Sequence, residues 1–326
     1  LLSQKNLTEL LNMKDTISTV ENVFKAHGEG KVVMPPKLTL DLGESGNWPG
    51  YNAFMNAMPA YIGTVDIAGL KWAGGFWENP KRGLSSIMAI IVLIDPKTGV
   101  PLVVMEGSYI TALRTGAATA VGAKYLAKRK SSVVGMIGAG TQAEYNLEAL
   151  NELFNIEEVR VSSRSKESAL RYANKMHKKL GLNLKQMDTA REAVKGADIV
   201  VTATTSKQPI LKQEWIQPGT FIAAIGSYQE VDDDVAKKAD KIVVDNLEQV
   251  KHRGSLRIMF DKGILTADDT YAELGEIVAG KKRGRETDRE VILLVPIGMG
   301  SEDVAVAYLA YKRAKEKKMG QEYAFF

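Results

Sequence analysis

Apolar residues in this 326-residue chain recur first with a helical period, then with a strand period, and then in blocks that alternate between the two. Behind Asp15, the residues Ile17, Val20 and Phe24 fall on one helical face and Gly28 supplies a stop, which predicts a helix. Residues 32–110 read differently: "VVMPPKLTL", "AYIGTVDIAGLKWAGG" and "SSIMAIIVLIDPKTGVPLVVMEGSYI" are β-rich runs punctuated by Gly, Pro and Asn. The "DPKTG" at 95–99 predicts a hairpin turn, so a mixed, mostly antiparallel layer is expected here. An Ala- and Leu-rich helix is predicted from Ile110 to about Ala127.

From Val133 onward strands and helices alternate. Strands are expected at "VVGMIG", "EVRVSS", "IVVTAT", "TFIAAIG", "KIVVDN" and "EVILLVPIG", with helices such as "KESALRYANKMHKKLG", "AREAVKGA" and the closing "SEDVAVAYLAYKRAKEKK" among them. That rhythm marks a parallel sheet with crossover helices. The fold class is α/β: a doubly wound, Rossmann-type parallel sheet plus a second α+β domain.

Composition narrows the chemistry. With 45% hydrophobic and 25% charged residues the chain is an ordinary globular one, long enough for two cores. Lys plus Arg number 43 against 39 Asp plus Glu, too slight and too evenly spread an excess for a nucleic-acid or membrane surface. Cysteine is absent, which excludes disulfides, thiolate nucleophiles and Cys-based metal sites. The opening "LLSQKNLTELLNMKD" is broken by polar residues and reads as neither signal peptide nor membrane span, so a cytoplasmic location is expected.

The run Gly138-Ala139-Gly140-Thr141-Gln142-Ala143 follows an apolar strand and opens a helix. Its first glycine permits a tight turn, the second lets backbone approach a pyrophosphate, and the small Ala143 allows close helix–strand packing. A tight turn of any α/β domain would look similar; the alternating units around it favour a dinucleotide. Where an acidic residue would bond the ribose of NAD, the chain has Ser162, Ser163, Arg164, Ser165 and Lys166. Hydroxyls and cations suit a 2′-phosphate, so NADP(H) is favoured, with NAD(H) possible.

In "GLKWAGGF" Lys71 follows apolar strand residues, and in "ITALRTGAATA" Arg114 lies near a helix start. By spacing alone each is usually an exposed, snorkelling side chain, and Lys37 in "MPPKLTL" carries still less signal. Trp48, Trp72, Phe76 and Trp77 gather around Lys71 in sequence; core packing is the first expectation and an apolar pocket wall the second. No metal is expected: Asp232, Asp233 and Asp234 suit a helix start, and His27, His177 and His252 are far apart, the first two near helix ends where exposed or capping roles are usual.

Taken in order, "MPPKLTL", "GLKW", "NPKRGLSSIMA", "DPKTGVPL", "YITALRTGAATAVGAKYLA", "GAGTQA" and "DNLEQVKHRG" resemble the ornithine cyclodeaminase/mu-crystallin family, nearest its archaeal alanine dehydrogenase branch, down to the terminal "FF". The resemblance implies a substrate-binding and dimerisation domain over 1–114 and 300–326, a dinucleotide domain over 115–299, and a homodimer. It implies that Lys37, Lys71 and Arg114 hold the carboxylate of a small amino, imino or oxo acid, with Lys71 the proton donor. Ser86, Thr115, Thr204, Gly226, Ser227 and Gly298 would join Gly138–Gln142, Ser163, Arg164 and Ser165 at the cofactor.

Two departures qualify this. Where cyclodeaminases and the archaeal alanine dehydrogenase carry an aspartate, "IGSYQEVDDD" places Tyr228, a hydrogen-bond donor, as in imine and ketimine reductases. In "LLVPIGMGSEDVA", Pro296, Ile297 and Gly298 replace a Ser/Thr-Gly turn near the nicotinamide. The activity implied is NAD(P)-dependent oxidoreduction at a carbon–nitrogen bond. The alternatives are a redox-neutral ornithine cyclodeaminase and a non-catalytic NADP(H)-binding protein.

Overall fold

The computed structural model describes residues 1–44, 46 and 48–324; the terminal Phe325 and Phe326 of the resemblance lie outside the described residues. The chain divides into two compact units, Leu1–Arg114 with Met299–Phe326, and Thr115–Gly298. The division falls inside a single helix, α3 (Ser108–Leu126), between Arg114 and Thr115.

The first unit is built on one sheet of β1 (Val32–Val33), β2 (Leu38–Asp41), β3 (Ala53–Ile62), β4 (Ile67–Phe76), β5 (Ile87–Ile94) and β6 (Pro101–Glu106), every pairing antiparallel. Pro35 and Pro36 have no N–H to give a ladder, so "VVMPPKLTL" splits into β1 and β2. At the predicted hairpin, Asp95 closes the turn by accepting from the N–H groups of Thr98 and Gly99 on its carbonyl. Burial alternates along β3 and most of β4 and β5. The inner face carries the C-terminal helix (Gly300–Lys317), which packs on β3, β4 and β5 and on α2 (Met13–Gly28). A short α1 (Gln4–Leu10) precedes α2, and Asn12, rather than Asp15, caps α2 by accepting from the Asp15 N–H.

The second unit holds an eight-stranded parallel sheet: β7 (Val133–Ile137), β8 (Glu158–Ser162), β9 (Leu184–Gln186), β10 (Ile199–Thr202), β11 (Phe221–Ala224), β12 (Lys241–Val244), β13 (Ala272–Glu273) and β14 (Ile292–Val295). The order is β13-β12-β14-β11-β10-β7-β8-β9. All four residues of β10, β11, β12 and β14 are buried, the near-continuous apolar run of a sheet covered on both faces. The chain runs outward from β7 through β8 and β9, then re-enters on the other side of β7 at β10. That reversal is a topological switch point, where α/β sheets open a crevice at their carboxyl ends. Helices α4 (Thr141–Leu153) and α5 (Lys166–Leu180) follow β7 and β8. Among the described residues no helix is long and apolar enough to cross a membrane.

Candidate functional site

At the switch point the turn after β7 is fixed by backbone geometry. Gly138 has φ 115°, and a Cβ there would sit 2.3 Å from the carbonyl oxygen of Ala203, so only glycine fits. Gly140 is the N-cap of α4; among the described residues no side chain caps that helix start, and a Cβ on Gly140 would meet nothing within 4 Å. Uncapped N–H groups at the positive end of a helix, facing open space, make an anion cradle. A cavity of about 680 Å³ opens there, lined by Gly138, Ala139, Gly140, Ser163, Arg164, Ser165 and Thr204, among others. Thr141 and Gln142 form the first turn of α4 beyond the lining, and Ala143, fully buried, accepts the Tyr172 hydroxyl from α5 on its carbonyl (3.0 Å). These residues fit a dinucleotide pyrophosphate.

The cavity wall beyond β8 carries both signs of charge. Lys166 is tied to Asp188 at 2.8 Å, an acidic residue of the lining that the sequence reading passed over. Among the described residues no carboxylate pairs with Arg164, which remains exposed at the lining. Ser163 donates to the Ser165 carbonyl (2.7 Å), and the Ser165 hydroxyl oxygen caps α5 by accepting from the Ser168 N–H.

The loops after β10, β11 and β14 hold four further cofactor candidates, Thr204, Gly226, Ser227 and Gly298. Thr204 donates its N–H and its hydroxyl to the Glu230 carboxylate (2.7 and 2.8 Å), and Gly226 donates its N–H to the same carboxylate at 2.7 Å. Gly298 donates its N–H to buried Asp245 at 2.6 Å. Ser227 and Tyr228 are exposed, with Lys207 placed 6.0 Å from the centre of the Tyr228 ring. Arg253 lies close enough to Tyr228 to feel its charge; burial is the dominant influence on this guanidinium and holds its pKa below the ordinary value.

In the first unit, Lys71 and Arg114 are not snorkelling side chains. On β4, Lys71 takes an inward position between Met58 of β3 and Ile91 of β5, and is 1% exposed. Its Nζ is 2.6 Å from Asp303 Oδ2 and donates more weakly to Thr111 Oγ1 at 3.4 Å. Arg114, on α3, donates through Nε to Asp303 Oδ1 (3.0 Å) and through Nη1 to Glu302 Oε2 (3.2 Å). Glu302 and Asp303 are fully buried in the first turn of the C-terminal helix, where the dipole favours negative charge. Two cations and two carboxylates thus share one buried cluster.

Burial pushes the Lys71 ammonium down to about 8, against the pull of Asp303 and with the help of neighbouring Arg114. Burial also opposes the Arg114 charge, but Asp303 and Glu302 outweigh it and hold that pKa above the ordinary value. A buried amine that titrates near neutrality is suited to giving and taking a proton.

Lys37 is half-buried just before β2. Ser86 precedes β5, its carbonyl accepting from Phe76 N–H (2.7 Å), and Thr115 follows Arg114 on α3. The tryptophans expected in the core are not there: Trp48 is 95% exposed, and Trp72 and Trp77 are each 37% exposed. Strand alternation is the reason for Trp72, since the inward phase that buries Lys71 turns its neighbour outward. Among the described residues no group of three or more acidic or histidine side chains is placed to hold a metal. His27 is neither exposed nor a cap; its ring bonds Ser301 Oγ at 2.7 Å.

Sequence reasoning missed Glu302 and Asp303, because acids in the first turn of a helix are what its dipole favours anywhere and single out no site. The available signal was their company: Val304, Ala305, Val306 and Ala307 are all buried, so this helix start has no solvent side.

Comparison with known proteins agrees in both units. The model of a family described as "Ornithine cyclodeaminase/mu-crystallin family" matches residues 1–318. An alanine dehydrogenase of Archaeoglobus fulgidus is 40% identical over 330 aligned positions, spanning 100% of this chain and 98% of the relative. The structure of Thermococcus litoralis Δ1-pyrroline-2-carboxylate reductase in complex with NADH and L-proline superposes with TM-score 0.94 at 39% identity, covering 99% of each chain. An archaeal alanine dehydrogenase dimer with bound NAD superposes with TM-score 0.93 at 40% identity, covering 100% of this chain and 98% of that one.

Proposed function

The chain belongs to the ornithine cyclodeaminase/mu-crystallin family, and from that premise we propose that it is an NAD(P)-dependent oxidoreductase acting on the carbon–nitrogen bond of a small α-amino or α-imino acid. The observation that carries this reading is the buried pairing of Lys71, with its pKa near 8, and Arg114 on one carboxylate, Asp303.

The chemistry divides among the residues as follows. Nη2 of Arg114 is the guanidinium nitrogen that neither acid engages, and together with Lys37 it takes the substrate carboxylate. Lys71 delivers the proton that the substrate nitrogen acquires on reduction and recovers it on oxidation. Tyr228 donates a hydrogen bond to the substrate. The uncapped start of α4, with Ser86, Thr115, Thr204, Gly226, Ser227 and Gly298, would hold a dinucleotide, whose nicotinamide would supply or accept the hydride. NADP(H) is preferred over NAD(H), because Arg164 at the lining pairs with no carboxylate among the described residues, whereas Lys166 is bound to Asp188. Tyr228, unlike an aspartate, is a poor base for a distal amine, which favours net redox chemistry over cyclodeamination.

The test is a panel of pyruvate with ammonia, cyclic imino acids, alanine, proline and ornithine, each with both cofactors. A change at the nicotinamide absorbance band with an amino or imino acid is the expected result; ammonia release from ornithine without that change would replace the reading by cyclodeamination. Lys71→Ala should abolish turnover and leave dinucleotide binding intact, and an active variant would remove Lys71 from the chemistry.

A further inference from the structure

We infer that Glu230 is a positioning residue that locks together the loops after β10 and β11 and thereby sets dinucleotide affinity, an assignment that rests on the dinucleotide reading of the cavity. Glu230 is fully buried, and its backbone is fixed at both ends. Its N–H donates to Ser255 Oγ (3.1 Å), and its carbonyl accepts from the N–H groups of Ile210 (2.9 Å) and Leu211 (3.0 Å).

The side chain then gathers donors from three places. Oε1 accepts the N–H and the hydroxyl of Thr204, at 2.7 and 2.8 Å. Oε2 accepts the Thr202 hydroxyl (2.6 Å) from the end of β10 and the Gly226 N–H (2.7 Å) from the loop after β11. Among the described residues no lysine, arginine or histidine neutralises it, and burial raises its pKa against the pull of these donors. A carboxylate taken out of water without a counter-cation is costly, and filling space alone would be served by an apolar residue. What the carboxylate does that an apolar residue cannot is satisfy two backbone amides from two different loops.

The first of those loops bears on the cavity, and the Glu230 carboxylate ties the second to it. Ala203, Thr204 and Ser206 line it, and Gly226 lies so close to the strut that a Cβ there would stand 2.3 Å from Glu230 Cδ. An amide cannot replace the acid: each oxygen faces one backbone N–H, so whichever way a glutamine is turned, its NH₂ opposes a donor and one loop loses its anchor.

Dinucleotide binding, measured by nicotinamide fluorescence, should therefore weaken about tenfold or more in Glu230→Gln. The KM for the imino or amino acid and the kcat at saturating dinucleotide should stay within about twofold. Thr202→Val removes a bond to the same oxygen while anchoring neither loop; it should lower Tm and leave dinucleotide affinity within about twofold. If Glu230→Gln fails to fold, Gly226→Ala displaces the strut from the other side and should reproduce the affinity loss. Wild-type affinity in a folded Glu230→Gln or Gly226→Ala protein overturns the role of Glu230, as does an equal loss in Thr202→Val. A wild-type protein that binds neither NADH nor NADPH overturns the dinucleotide reading itself.

Discussion

Lys71 concentrates the residue-scale physics of this protein. Its pKa of about 8 in the fold compares with 10.5 for the free side chain, and burial is the larger cause. Between those two pH values the unfolded chain binds a proton that the folded one has released, so stability owed to this group rises with pH across that window. Catalysis runs the other way: imine reduction needs the protonated amine, so kcat/KM should fall as pH rises through about 8. Asp303, 2.6 Å from Nζ, is the group that resists deprotonation, while burial and Arg114 promote it. Asp303→Asn keeps the shape and deletes the charge, so the descending limb of the reductive pH profile should move to lower pH. A profile that stays in place in a folded Asp303→Asn protein would show that another group titrates. Because the substitution leaves Lys71 buried beside Arg114, it should also cost about 3–5 kcal/mol in urea unfolding.

At the scale of elements, legibility followed length and periodicity. The six parallel strands of four or five residues were readable as apolar runs between turn signals, and the β5–β6 hairpin, α3 and the C-terminal helix because each repeats its pattern over several turns or pleats. β9 and β13, three and two residues long, carry no period to read. The glycine turn after β7 was legible from three residues because only glycine satisfies both the φ of 115° and the approach to Ala203. The acids of the cluster were not, since Glu302 and Asp303 stand far from Lys71 in sequence and meet it only once the C-terminal helix packs on β4. One contact sets that helix start: His27 of α2 bonds Ser301, the residue before Glu302, and burial pushes the His27 imidazole down to about 4. The unfolded chain therefore binds the His27 proton first, and stability present above pH 6.5 drains away as pH falls toward 4, by about 3 kcal/mol at the limit. Urea unfolding between pH 7 and 4 should show this slope in the wild type and lose much of it in His27→Gln; equal slopes in the two would acquit the histidine.

For the whole molecule, the outward face of the antiparallel sheet poses the remaining question. Strand register aligns Leu38, Ala57, Trp72 and Ile90 as successive cross-strand neighbours, and beside them Leu40, Met55, Gly74 and Met88. Leu38, Leu40, Trp72, Met88 and Ile90 are all at least 37% exposed. Scattered apolar side chains need no explanation, but two continuous rows across four strands form the kind of patch that soluble chains cover with a partner. The archaeal alanine dehydrogenase that superposes on this chain is a dimer. Were a second copy of this chain to cover it, Trp72 would be the central anchor, since an indole flanked by aliphatic neighbours is the usual hot spot of such a surface. Ile90 lies directly opposite Trp72, so Ile90→Asp would bury a charge against the anchor while facing water harmlessly in a monomer. Sedimentation equilibrium should give a dimer for the wild type and a monomer for Ile90→Asp, with the far-ultraviolet circular dichroism of the two alike. A wild-type monomer at tens of micromolar would refute the interface, and a dimer that survives Ile90→Asp would place it on another face, because a carboxylate opposite the anchor leaves this one no way to close without desolvating a charge.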